Sequence, residues 1–173
     1  MIDTGLESKV VLVTGANHGM GAATAVAMAK QGARVFINYL RLLSEEYGGI
    51  DKKSAASVSE PGREYYYNIL MKSAGDVVQH IKESGGECFA WEGDLANPEN
   101  IPRLFDMAEK QFGPVEIVVN NAAFDKCDTF IPPEELKKSP LFVNAYPMQT
   151  ITAESHDENF AVNSRAAATG CEV

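Results

Sequence analysis

The sequence predicts an α/β fold built around a parallel, doubly wound sheet. Strand-like and helix-like segments alternate along most of the chain, which is the order that parallel strands with crossover helices require. Residues 9–14 are rich in β-branched side chains, as in a strand buried on both faces. The first helix-like segments stop at Gly32 and at the pair Gly85 and Gly86. The handedness of the crossovers then places helices on both faces of the sheet.

The first half of the chain contains three predicted strands and two predicted helices. Residues 9–14 form the first strand, and residues 20–31, rich in Ala and Met, form the first helix. Arg34–Tyr39 reads as the second strand. Residues 74–86 have the spacing of an amphipathic helix, and residues 87–94 read as a third strand followed by a turn.

The second half of the chain continues the alternation. Residues 97–113 read as a helix, with Asn97 as its cap and Pro98 at its first position. Residues 114–123 contain the fourth strand. Residues 151–168 read as a fourth helix, with Thr152 or Ser155 as its cap.

Two long segments interrupt this pattern, at about residues 41–73 and 124–150. Both follow predicted strands, and loops of that length in a compact domain are usually functional or disordered. Ligands of doubly wound sheets also bind outside the carboxyl ends of the strands. We therefore expect one domain over residues 1–173, with two insertions near its ligand-binding edge.

Composition limits the classes of partner. Fifteen basic and twenty-four acidic residues give a net charge of −9, and 45% of the 173 residues are hydrophobic. No nucleic acid and no anionic membrane are expected as partners. No apolar run approaches the roughly 18 residues that span a bilayer. Cys88, Cys127 and Cys171 form no CxxC pattern, so we expect reduced thiols, no metal site and a cytoplasmic protein.

Three glycines separate the first strand from the first helix. They are Gly15, Gly19 and Gly21, in the stretch TGANHGMG. Gly15 lets the backbone turn, Gly19 lets a ligand approach the backbone, and Gly21 lets the helix pack on the strand. The helix N-terminus offers unpaired amides and a partial positive charge. With a second strand ending about 20 residues further on, the pattern predicts a Rossmann-type site for the diphosphate of a dinucleotide.

Other nucleotide-related folds also use glycine-rich turns. A P-loop would need Gly-Lys-Ser or Gly-Lys-Thr after the glycines, and this sequence has Gly-Met-Gly. A methyltransferase-like site remains an alternative on the glycines alone.

The end of the second strand indicates which dinucleotide binds. A carboxylate there would accept hydrogen bonds from the ribose hydroxyls of NAD. Asn38 and Tyr39 carry no negative charge, and Arg41 could pair bidentately with a 2′-phosphate. A solvated charge at the start of the insertion is the alternative interpretation of Arg41. His18, between the glycines, could add a donor, and we expect NADP rather than NAD.

Four motifs in series resemble those of the short-chain dehydrogenases/reductases. TGANHGMG (14–21) is similar to the cofactor motif TGxxxGxG. GDL (93–95) resembles the family's segment after the third strand, in which an Asp is followed by an apolar residue. NNAA (120–123) resembles NNAG, and NFAVN (159–163) resembles the segment that carries a catalytic Asn. The resemblance covers nearly the whole chain outside the two insertions. Within the family it is most similar to NADP-dependent carbonyl reductases of the 3-oxoacyl-carrier-protein reductase type.

This resemblance implies roles for residues at the adenosine end of the cofactor. Asp94 would accept a hydrogen bond from the adenine amino group, and Leu95 would pack on the ring. The backbone of the glycine turn would cradle the pyrophosphate and the ribose: Gly15, Asn17, His18, Gly19, Met20 and Gly21.

The resemblance also implies roles towards the nicotinamide end. Asn121, Ala122 and Ala123 would line the path to the nicotinamide, and Asn163 would hold the water of a proton relay. In the alternative interpretation, Asp94 caps a turn and Asn163 is a helix residue whose side chain bonds to the backbone.

The reaction implied by the resemblance is hydride transfer between the nicotinamide and a carbonyl or alcohol carbon of a small molecule. Its proton comes from a Tyr assisted by a Lys four residues later. None of the six tyrosines has Lys at that spacing, so the fold reads as truncated after the fourth helix. We expect an NADP(H)-dependent oxidoreductase that assembles as a homo-oligomer. The alternative is a catalytically incompetent relative or fragment that binds the dinucleotide.

Overall fold

A computed structural model describes residues 4–41, 60, 62–140, 142–143 and 146–170. In chain order, its first elements are β1 (Val10–Val13), α1 (Gly19–Ala29), β2 (Arg34–Tyr39), α2 (Arg63–Leu70), α3 (Gly75–Glu83), β3 (Glu87–Glu92), α4 (Asn100–Phe112) and β4 (Ile117–Val119). The short elements after β4 are β5 (Asp128–Thr129), α5 (Pro133–Lys138), β6 (Phe142–Val143), β7 (Tyr146–Pro147) and β8 (Gln149–Thr150). The last described helix runs through α6 (Ala153–Phe160), a π-helical segment (Ala161–Ala166) and α7 (Ala167–Thr169).

The predicted parallel sheet is confirmed. Its order in the described residues is β3-β2-β1-β4, with every pair parallel. Chain order reverses direction at β1, since β2 and β3 lie on one side of it and β4 on the other. All strands end at one edge, here called the carboxyl edge, and this reversal point is where such sheets bind ligands.

Alternating side chains of the central strands supply two cores, one on each face. Val11, Val13, Val35 and Ile37 are buried with residues of α1 and α3. Leu12 and Phe36 are buried on the other face with residues of α4 and Ala166. Both faces of β1 and β2 are therefore covered, which explains their nearly continuous apolar sequence.

The N-termini of two helices show how nearby side chains decide where a helix begins. Thr152 caps α6 as expected, because its side chain accepts from the Ser155 amide and the Ser155 side chain accepts from the Thr152 amide. The expectation that Asn97 caps α4 is wrong. Its side chain instead accepts from the Glu99 amide in a tight turn, and the helix begins at Asn100.

Each insertion contains short helices or strands among its described residues. The first contains α2, whose Tyr67 is fully buried, while residues 42–59 and 61 lie outside the described residues. The second contains α5 and two small sheets, β5 with β8 and β6 with β7. Within the described residues, no helix is long and apolar enough to cross a membrane.

Candidate functional site

The turn after β1 lies against the segment that follows β4. Gly15 has φ +63, and a Cβ built on it would lie 2.7 Å from the Cα of Ala122. The amide of Ala16 donates to the Asn38 carbonyl at 3.1 Å, so the end of β2 holds the turn from its other side. The turn therefore needs glycine for both its backbone conformation and its packing.

The helix that follows the turn presents its N-terminus at the carboxyl edge. Gly19 has φ +57, and a Cβ there would meet no atom within 4 Å. Met20 is 82% exposed beside it. A Cβ at Gly21, in contrast, would overlap the side-chain nitrogen of Asn121 and the carbonyl oxygen of Gly15. The turn thus has one open glycine and two packed ones, as the sequence motif predicts.

Thr14 joins the glycine turn to the NNAA segment, a role that our assignment of site residues missed. Its hydroxyl oxygen accepts from the amides of Asn121 and Ala122 at 3.1 and 3.0 Å. The side-chain nitrogen of Asn121 donates back to the carbonyls of Thr14 and Gly15 at 2.9 and 3.0 Å. Asn121 therefore positions the turn, and Ala123, two residues later, is exposed at the same edge.

Asn17 and His18 are connected to the first insertion. The side-chain nitrogen of Asn17 donates to the Lys72 carbonyl at 2.8 Å, and its oxygen lies 3.0 Å from Nδ1 of His18. An amide oxygen only accepts, so Nδ1 carries the proton. Burial lowers the pKa of His18, which leaves the ring neutral at pH 7.

The ends of β2 and β3 bring together residues that the sequence places far apart. Asn38 is 2% exposed and donates to the Gly93 carbonyl at 2.9 Å, so its side chain holds the two strand ends together. Tyr39 pairs with Glu92 in the register. The guanidinium of Arg41 binds the Glu92 carboxylate through Nε at 2.9 and 3.0 Å and through Nη2 at 2.7 Å. Glu92 was also missed, because the β2–β3 register that brings it to the end of β2 is seen only in the structure.

Asp94 and Leu95 follow β3. Asp94 is exposed, and its Oδ1 accepts from the Ala96 amide at 2.8 Å. This hydrogen bond is the one expected in the alternative interpretation, in which Asp94 caps a turn. Leu95 is 8% exposed and belongs to the core with Leu12 and Leu104. Its predicted contact with the adenine ring stays a prediction.

Asn163 lies in the π-helical segment and faces the chain after β4. Its Oδ1 accepts from the Phe124 amide at 2.8 Å, and its Nδ2 donates to the Phe124 carbonyl at 2.7 Å. Asn163 is exposed, and it also lines a cavity of about 170 Å³ together with Thr14 and Asn120. Its side chain therefore orients the segment that contains Ala122 and Ala123.

Comparison with known proteins decides the family. The family model described as short chain dehydrogenase matches residues 46–171, well over half of the chain. This chain belongs to the short-chain dehydrogenase/reductase family.

Relatives within the short-chain dehydrogenase/reductase family include fungal reductases. A hydroxynaphthalene reductase-like protein of Metarhizium majus is 30% identical over 161 residues, covering 93% of this chain and 43% of that protein. Versicolorin reductase of Emericella nidulans is 29% identical over 160 residues, covering 92% and 43%. The chain thus spans less than half the length of these relatives. The finer resemblance to 3-oxoacyl-carrier-protein reductases stays a prediction.

Solved structures show the same fold. A short chain dehydrogenase from Mycobacterium avium superposes with a TM-score of 0.65 at 23% identity, covering 96% of this chain and 44% of that one. A blue fluorescent protein from a metagenomic library, solved in complex with NADPH, has a TM-score of 0.63 at 23% identity, covering 96% and 50%. The family binds nicotinamide dinucleotides and acts on small molecules, so the glycine turn is the candidate cofactor site of this chain.

Proposed function

We propose that this chain supplies the dinucleotide-binding part of an NADP(H)-dependent oxidoreductase that interconverts a small-molecule carbonyl and its alcohol. The observation that carries the proposal is the glycine turn. Gly19 faces open space, while the turn around it is held by Thr14 and Asn121. A turn that is fixed by these hydrogen bonds and open at one glycine fits a ligand that approaches the backbone closely.

The residues at this edge divide into those that contact the cofactor and those that position them. In the proposal, the amides of α1 hold the diphosphate, and Asp94 and Arg41 lie at the adenosine end. Asn17, Asn38 and Asn121 position the turn through the hydrogen bonds that their side chains make to the backbone. The contacts predicted for cofactor and substrate are assigned to Gly15, His18, Gly19, Met20, Gly21, Tyr39, Ala122, Ala123 and Asn163.

The chemistry that NADPH supplies when bound is hydride transfer to a carbonyl carbon. The names of the fungal relatives describe reductases, which favours reduction as the direction in this protein. Asn163 holds the segment after β4, and through it the wall where the nicotinamide would lie. We propose that Asn163 serves this positioning and, through the π-helical backbone, the water of the proton relay.

Direct titration with NADPH and NADH tests the binding proposal. Gly19→Ala places a methyl group in the open space, and we expect NADPH affinity to fall about tenfold or more. Gly85→Ala is the matched control. Gly85 also has a positive φ, +83, and open surroundings, but it lies in the turn before β3, at the opposite edge. Equal losses in the two variants, or no saturable binding to the wild type, would contradict the proposal.

A second candidate is dinucleotide binding without turnover. It concerns the 173 residues by themselves, in which none of the six tyrosines is followed four positions later by Lys. NADPH oxidation with a panel of aromatic and aliphatic ketones separates the two candidates. Saturable binding without ketone-dependent oxidation supports the second candidate, and oxidation supports the first. Size-exclusion chromatography tests the predicted homo-oligomer.

A further inference from the structure

Arg41 is the cation that would recognise a 2′-phosphate, and its guanidinium is already bound to the carboxylate of Glu92. The guanidinium makes contacts to both carboxylate oxygens, and the backbone amide of Arg41 donates to Oε1 at 3.2 Å. Such a fork-to-fork arrangement is the geometry with which arginine also binds phosphate. Carboxylate and phosphate therefore compete for the same edge of one side chain.

This pair lies at the adenosine end of the candidate site. The Ala16 amide donates to the Asn38 carbonyl, and the Asn38 side chain donates to the Gly93 carbonyl. Glu92 directly precedes Gly93, and Arg41 lies three residues after Asn38. Hydrogen bonds through Asn38 thus connect the glycine turn to the strand ends that carry the ion pair.

We propose that Glu92 is a specificity-determining residue, which lowers the preference for NADP(H) over NAD(H) by occupying Arg41. The inference rests on the proposed dinucleotide site. It also adds what the sequence lacked at the end of β2, a negative charge near the ribose hydroxyls. That charge comes from β3, because the parallel register places Glu92 beside Tyr39.

The ion pair between Arg41 and Glu92 is exposed enough for a 2′-phosphate to replace the carboxylate on Arg41. The two side chains are 47% and 31% exposed, and exposed ion pairs contribute little to stability. The pair is therefore weak enough for a 2′-phosphate to displace. Hydrogen bonds from Arg41 first, and also from Tyr39, lower the pKa of Glu92, so the carboxylate is charged at neutral pH. A charged Glu92 repels a 2′-phosphate and accepts from a 2′-hydroxyl, and both effects favour NAD(H).

Glu92→Gln is the decisive variant. It removes the charge and frees the guanidinium edge, so we expect the NADPH dissociation constant to fall about fivefold to tenfold and that of NADH to stay unchanged or rise. Adding Arg41→Gln to Glu92→Gln should abolish the gain. Glu116→Gln is the matched control, because Glu116 forms a similar exposed ion pair with Lys9 at the amino end of β1. We expect it to leave the ratio of the two dissociation constants within twofold of the wild type.

Each outcome has a separate meaning. If wild type and Glu116→Gln bind both dinucleotides and Glu92→Gln has the wild-type ratio, the inference is overturned and the dinucleotide site stands. If no protein binds either dinucleotide, the proposed function fails and takes the inference with it. Circular dichroism checks folding, and Glu92→Ser is a second way to remove the carboxylate. A shift of the ratio towards NADPH in a folded variant supports the inference.

Discussion

Gly15 and Ala122 lie against each other at the carboxyl edge of the sheet, although 106 residues lie between them in the sequence. The contact leaves no room for a Cβ, which would lie 2.7 Å from the Ala122 Cα and 3.1 Å from its nitrogen. Because both atoms belong to the backbone, no side-chain movement can relieve the overlap.

Gly15→Ala should therefore destabilise the fold. The overlap and the left-handed backbone together should lower the free energy of unfolding by about 2–4 kcal/mol. Gly85→Ala is the control, since Gly85 has a positive φ without close neighbours, and we expect about 1 kcal/mol there. Urea denaturation measures both. A Gly15→Ala variant no less stable than Gly85→Ala would show that the Ala122 segment moves away.

Thr14→Val should lower stability more than Thr14→Ser does. Valine keeps the shape but leaves the amides of Asn121 and Ala122 without their acceptor, at a cost of about 1–3 kcal/mol. Serine retains the hydroxyl and loses only a methyl group. Denaturation of both variants tests this order, and the reverse order would mean that the methyl group contributes more than the hydroxyl.

Asn163→Ala should release the segment after β4. The variant removes both hydrogen bonds to Phe124, so amide exchange at Phe124 should become faster while exchange in β1 stays slow. Hydrogen exchange with mass spectrometry measures this. Asn97→Ala, which removes a side-chain bond in another turn, is the control and should leave Phe124 unchanged. Unchanged exchange in Asn163→Ala would rule out a positioning role.

The burial of His18 predicts a pH dependence of stability. Its pKa is lower in the folded state than the ordinary value of 6.5, so the unfolded chain binds more protons just below that pH. The contribution of the neutral His18 ring to the free energy of unfolding is therefore fully present above about pH 6.5, and it is lost as the pH falls through the pKa of the folded state. Unfolding of wild type and His18→Gln between about pH 5 and 7.5 should show a smaller slope in the variant. An equal slope in the two proteins would contradict this role of His18.

The sequence by itself determined the order of the four strands of the central sheet with the helices between them, and the position of the glycine turn. Both depend on local signals: β-branched runs, glycines at helix ends, and the spacing of Gly15, Gly19 and Gly21. The cap at Thr152 was predictable for the same reason, because a capping box spans only a few residues. At Asn97 the local sequence is compatible with either a helix cap or a tight turn, and the structure has the tight turn.

The tertiary structure decided which side chains meet at the carboxyl edge. Thr14 bonds to the segment after β4, Asn163 bonds to Phe124, and Glu92 pairs with Arg41. None of these contacts follows from neighbouring residues, because each depends on strand order, register and the angle at which a helix crosses the sheet. The charge at the end of β2 shows the consequence: β2 itself ends without a carboxylate, and the parallel register brings Glu92 from β3 beside Tyr39.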